Sequence, residues 1–288
     1  MDPGLPSSTA HFVAYLRALG NLSPQVPGFA DAVAERMLPP PWPKRVEQAR
    51  SLLARHPGRS PFPLGYGGLG VFQQFRSVVL DQAIQSALPF DQLVILGAGL
   101  DGRAWRMPAL EQVRVFEVDH PDTQAWKREC AQARPVAARE VRFIPMDFTR
   151  DDLGQRLPER GYDPGRTTFW LWEGVSMYLP PVEVARTLAS TAGLSRAGSR
   201  MAMTYLANQT GPMLARFLLS ALGEPCRSAY APEQWSRVAR KAGWMTRSDS
   251  GIQDWKRHLA SGQPLVELDA AMQWHERIWV GQCGGPLS

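Results

Sequence analysis

The sequence predicts an α/β protein: a doubly wound parallel sheet with an antiparallel strand at its edge, preceded by an N-terminal helical cap. Three observations carry this expectation. Residues 92–97 contain a continuous apolar run, Leu93, Val94, Ile95 and Leu96, that ends in glycine, as a central parallel strand covered on both faces should. Beyond residue 91, strand-like and helix-like segments alternate, the pattern of βαβ units. Before it, helical pieces are broken apart by proline.

Taken in order, apolar residues recur at helical spacing near 9–20, 30–37 and 44–55, for example Phe12, Tyr15, Leu16 and Leu19. Proline clusters at 39–43 (PPPWP) and 57–63 (PGRSPFP) separate these pieces, so residues 1–65 are assigned to the cap and 66–288 to the main domain. A longer helix over 66–87 leads into the first strand. Strands are predicted at 92–97, 113–119, 141–146, 167–173 and 199–206, with helices near 103–111, 121–132 and 180–196. Helices near 212–222 and 231–242, a strand at 243–249 and a last strand at 275–281, suited to an antiparallel edge, complete the chain.

Composition narrows the function classes. A chain of 288 residues with 44% hydrophobic content can bury a sizeable core. Its formal charge of +5 comes from scattered arginines, with lysine only at Lys44, Lys127, Lys241 and Lys256, which favours a solvated basic surface over a nucleic-acid groove. Cys130, Cys226 and Cys283 have neither CxxC nor Cys/His ligand spacing, so no metal site or disulfide framework is expected. The N-terminus lacks the pattern of a signal peptide, and no run approaches the ~18 apolar residues of a bilayer span. A cytoplasmic protein with a small-molecule partner is the expectation; the oligomeric state is left open.

The chemistry concentrates at strand ends. GAGLDG at 97–102 satisfies GxGxxG, and Gly97 and Gly99 let the backbone turn sharply and approach a ligand closely. Asp119 ends the second strand, where a carboxylate can accept both ribose hydroxyls of a nucleoside. Asp147 ends the third, placed for an adenine amine, and Glu173-Gly174 ends the fourth. Asp101 in the glycine turn would repel a pyrophosphate and suits a sulfonium better. Each residue also has a structural use, in a tight turn, a helix cap or an exposed acid. Their coincidence at the carboxyl ends of four strands, where open α/β sheets bind ligands, favours function.

The segments GAGLDGRAWRM, VFEVDHP, FIPMDF and FWLWEGVSMYLP resemble successive motifs of the leucine carboxyl methyltransferase family, whose members are class I S-adenosylmethionine-dependent O-methyltransferases with a Rossmann-like sheet. The resemblance covers about residues 70–206, and EG-x3-YLP is its most distinctive part. It implies that Gly97, Ala98, Gly99 and Asp119 hold methionine and ribose, and that Asp147 and Phe148 read the adenine. It further implies that Glu173 lines the methionine side, Arg76 pairs with the cofactor carboxylate, and Tyr178 faces the acceptor. The chain departs from the pattern at Gly102, where threonine is usual, and at the arginine helix, which keeps only Arg76 and Asp81. Residues 1–65 match none of its motifs.

Methyl transfer from a sulfonium is an in-line displacement governed by alignment. A carboxylate acceptor is already ionised and needs only orienting groups, for which Arg76 and Tyr178 are the catalytic candidates. A hydroxyl acceptor would want a base, and among His11, His56, His120, His258 and His275 none stands out. Trp170, Trp172, Met177, Met201, Met203 and Tyr205 suit the core better than an aromatic acceptor site, and the polar groups of Asn208 and Gln209 after the fifth strand are acceptor-side candidates. The alternatives are a carboxyl methyltransferase of a protein C-terminus, an NAD-dependent oxidoreductase, and a non-catalytic module that keeps the fold.

Overall fold

A computed structural model describes residues 7–131, 135–148, 150–207, 225–259 and 275–284. Its centre is a seven-stranded sheet of β1 (Gln92–Leu96), β2 (Arg114–Asp119), β3 (Glu140–Pro145), β4 (Thr168–Trp172), β5 (Arg200–Leu206), β6 (Trp244–Gly251) and β7 (Glu276–Cys283). The spatial order is β3-β2-β1-β4-β5-β7-β6. Strands β1 to β5 are parallel, and β7 runs antiparallel to both β5 and β6. The order reverses between β1 and β4, which opens a crevice at the carboxyl ends of these strands.

The antiparallel strand lies one place in from the edge, and β6 forms the edge itself. Side-chain chemistry explains the exchange. Strand β7 buries Ile278 and Trp279, whereas β6 runs through exposed Met245, Thr246, Arg247 and Ser248, a stretch suited to solvent on an unpaired edge.

Helices flank both faces: α1 (Ser8–Leu22), α2 (Trp42–Arg55), α3 (Gly67–Ala87), α4 (Arg103–Arg106), α5 (Pro121–Ala131), α6 (Leu153–Glu159), α7 (Pro181–Gly193), α8 (Pro232–Lys241) and α9 (Ile252–Leu259). Two expected helices are shorter than predicted. Near 30–37 only a 3-10 turn forms, Ala34–Met37, because Gly28 turns with positive φ and the Asp31 carboxylate accepts the Ala34 N–H at 3.0 Å. The helix after the glycine loop stops at Arg106 and resumes as a 3-10 turn at Pro108, which has no N–H to continue the ladder. The segment predicted helical over 212–222, with Asn208 and Gln209, lies outside the described residues.

Strand β1 divides the core by its alternation. Leu93 and Ile95 point to one face and join Leu16 and Leu19 of α1, Phe72 and Phe75 of α3, and Phe169 and Leu171 of β4 in one buried cluster. The N-terminal helices therefore share the apolar core of the sheet. Val94 and Leu96 point to the other face, with Phe116, Trp170, Trp172, Met201, Met203, Tyr205 and Trp279. The aromatic and methionine residues of the central strands are thus core, and all lie within a few per cent of full burial. Among the described residues no helix is long and apolar enough to cross a membrane.

Candidate active site

The crevice at the switch point holds a cavity of about 320 Å³, within the ~300–1,000 Å³ usual for small-molecule sites. Arg76, Gly97, Ala98, Gly99, Asp119, Asp147, Phe148, Glu173 and Tyr178 all line it. Nine residues from five separate stretches of chain converge because each strand ends at the same level of the sheet. Ile95 pairs in register with Glu117 and with Leu171, so the residues just beyond β1, β2 and β4 face one space.

The glycine loop turns over β1 with φ of +65° at Gly97 and +46° at Gly99. A Cβ on Gly97 would sit 2.3 Å from Val175 Cγ2, so a side chain there is excluded on two counts. The loop is held from β2: Asp119 accepts the Gly99 N–H and, at 2.6 Å, the His120 N–H. Burial pushes the Asp119 carboxyl above the ordinary aspartate range, an effect that these two hydrogen bonds partly offset. Asp147 lies two residues past β3, where its own N–H donates to Asp151 at 2.9 Å, and the Phe148 carbonyl accepts from Arg186 at 2.7 Å.

One end of the cavity is walled by a buried lattice of ion pairs. Arg76 of α3 donates through Nε to Glu173 at 2.8 Å and through Nη1 to Glu276 of β7 at 3.1 and 3.2 Å. Arg103, fully buried, donates through Nη1 to the other Glu173 oxygen at 2.7 Å, through Nε to Asp81 at 2.7 Å, and also to Asp101. Asp81 in turn pairs with Arg106 at 2.6 Å. Burial alone would raise the Glu173 carboxyl; the guanidinium of Arg103, then that of Arg76, outweighs it and holds the group at about 2. Burial of Asp101 is likewise overcome, chiefly by Arg103, and its carboxyl lies well below the usual range. Asp101 lines the cavity, but its charge is matched by Arg103, so it does not set ligand preference as an isolated anion in the turn.

Sequence reasoning named no residue of the N-terminal segment among the site residues. Ser7, Thr9, Ala10, Val13 and Arg17 close one side of the cavity. Arg17 donates to the Leu100 carbonyl of the glycine loop at 2.7 Å and faces Asp31 at 3.5 Å, and a Cβ on Gly99 would meet Ala10 Cβ at 3.3 Å. The only signal in the sequence was an arginine on the apolar face of α1. It also missed Glu276, which sits in the last strand without a local motif. His120 and Thr123 line the cavity next to Asp119, while His258 and His275 are exposed.

The charged lining discriminates between ligands. Apart from Asp101, whose charge Arg103 matches, three carboxylates, Asp119, Asp147 and Glu173, line the cavity with two guanidiniums, Arg17 and Arg76. Both guanidiniums already carry carboxylate partners. Such a lining disfavours a pyrophosphate and accommodates an adenosine ligand carrying a cationic centre.

Known proteins resemble this chain in sequence and in fold. The profile of the leucine carboxyl methyltransferase family matches residues 10–192, beginning inside the N-terminal segment that the short motifs leave unmatched. A protein of Frankia alni, provisionally named an S-adenosyl-L-methionine-dependent methyltransferase, is 39% identical over 197 residues, covering 67% of this chain and 66% of its own length. One from Mycobacteroides abscessus, with the same provisional name, is 32% identical over 218 residues, 74% of this chain and 71% of that one. Across the curated relatives the matched stretch spans from 36% to 71% of the relative's own length, and below two thirds in most of them. Among solved structures, a provisionally assigned methyltransferase from Thermobifida fusca YX superposes with a TM-score of 0.59 at 18% identity, covering 99% of this chain and 97% of that chain. A DUF574 family protein from Streptomyces avermitilis superposes with a TM-score of 0.60 at 11% identity, covering 98% of both chains. These last two show a common fold. The extent of the profile match and the two bacterial relatives establish descent: the chain belongs to the leucine carboxyl methyltransferase family.

Proposed function

We propose that this protein is an S-adenosylmethionine-dependent O-methyltransferase acting on a carboxylate or hydroxyl of a small, natural-product-like molecule. The observation that carries the proposal is the convergence of all nine motif residues on one cavity at the carboxyl ends of β1 to β4. S-adenosylmethionine is the cofactor, and when bound it supplies a methyl group made electrophilic by the adjoining sulfonium. The residues present fit it. Asp119 offers its carboxylate to the ribose, Asp147 and Phe148 border the adenine end, and the Gly97–Gly99 turn leaves room for close approach. Glu173 and Arg76 form the methionine end. Two of the three Arg76 nitrogens are held by carboxylates, so its remaining edge is assigned to the cofactor, and Tyr178, on the 3-10 turn Ser176–Tyr178, is the candidate that orients the acceptor.

An acceptor carboxylate fits best, since it arrives ionised and needs alignment rather than deprotonation. His120 is the one imidazole along the described cavity wall, and it adjoins the ribose acid. The proposal is tested in two steps. Titration calorimetry of the full chain should show S-adenosylmethionine and S-adenosylhomocysteine binding, no NAD binding, and at least about tenfold weaker binding for Asp119→Ala. Transfer of a labelled methyl group to panels of small acids and phenols then separates base-labile esters from base-stable ethers. NAD binding without a response to the sulfonium would overturn the assignment.

A further inference from the structure

Arg76 is 5% exposed, and its guanidinium is held from two strands distant in sequence. Nε donates to Glu173, just past β4, and Nη1 donates to both oxygens of Glu276, the first residue of β7. Nη2 makes no hydrogen bond among the described residues. It lies against Gly174, where a Cβ would sit 3.6 Å away, and Gly174 lines the cavity. A guanidinium is a rigid plane with five N–H donors, so fixing two of its nitrogens sets where the third points.

Glu173 cannot set that plane alone. Its second oxygen is drawn to Arg103, which is itself tied to Asp81 and Asp101. Glu276 is 4% exposed and has no other ion-pair partner among the described residues. It reaches the site because β7 is inserted beside β5, pairing Glu276 with Leu206 at the cavity end of the sheet. Glu276 also lies outside the segment matched by the family profile.

We propose that Glu276 is a positioning residue. It holds Arg76 from behind so that Nη2 presents its N–H groups to the carboxylate of the cofactor's methionine moiety. This inference rests on the cofactor assignment above. It makes a selective demand: Glu276 should matter for ligands that carry the amino-acid tail and not for those that lack it.

The test is calorimetric titration of the full chain with S-adenosylhomocysteine and with 5′-methylthioadenosine, which has the same nucleoside but no aminocarboxylate. Glu276→Ala should weaken S-adenosylhomocysteine by about tenfold, and Glu276→Gln, which keeps an acceptor oxygen but no charge, by less. Methylthioadenosine affinity should stay within about twofold in both. Unchanged homocysteine-ligand affinity in both variants would overturn the proposal. So would equal weakening of the two ligands, which marks a general structural role. If Glu276→Ala does not fold, the isosteric Glu276→Gln decides by the same comparison. A wild-type protein that binds neither ligand would overturn the cofactor assignment and this inference together, and is recognised by the wild-type titration alone.

Discussion

Replacing Glu173 with glutamine probes the ion-pair lattice at its most connected point. The carboxylate accepts from Arg76 and Arg103 at 2.8 and 2.7 Å, with both arginines buried. Its carboxyl titrates at about 2 against an ordinary 4.5. At ~1.4 kcal/mol for each tenfold change in ionisation constant, this difference is worth about 3 kcal/mol of folding stability. The figure agrees with the ~3–5 kcal/mol cost of removing one partner from a buried ion pair. Because the folded value is depressed, the contribution is complete above pH 4.5 and disappears as the pH falls through about 2. Glutamine does not titrate, so the gap between wild type and Glu173→Gln should be about 3 kcal/mol at pH 7 and narrow steadily below pH 4.5. Urea unfolding at a series of pH values measures it. A gap that does not change with pH would refute the reasoning, since the cost would then come from packing rather than charge.

Two further outcomes follow from the same geometry. Gly97→Ala forces a side chain onto a residue at φ +65° and into Val175. It should cost about 1–3 kcal/mol by urea unfolding, and adding Val175→Ala should recover part of that, the steric part, and leave the backbone part. Beneath the site, Glu117 and Lys127 form a buried pair at 2.6 Å, and burial pushes the Glu117 carboxyl up to about 7 despite the lysine. A raised acid stabilises the folded state less as the pH climbs from 4.5 to about 7. Lys127→Met should therefore deepen the fall in unfolding midpoint between pH 5.5 and pH 8. A fall equal to that of wild type would mean that Glu117 is not shielded from water as the structure has it.

Much of the site was legible locally. A central parallel strand must be apolar on both faces, so β1 announces itself as Leu93–Leu96, and the glycines after it mark a turn that needs positive φ. The acids at 119, 147 and 173 each end or closely follow a recognisable strand, and parallel strands in register deliver their ends to one level. Sheet periodicity and turn chemistry are short-range properties, and a one-dimensional reading captures them.

Tertiary structure alone decided the rest. Strand β7 entered between β5 and β6 because its buried faces need cover that the polar β6 does not. That choice brings Glu276 to Arg76 across 200 positions of chain. The helix α1 closes the cavity through Arg17 and Leu100, 83 residues apart, and Arg103 cancels the charge of Asp101 in the glycine turn. No local period encodes such pairings. A buried charge must find an opposite one, and which one it finds depends on how the helices and strands pack around it.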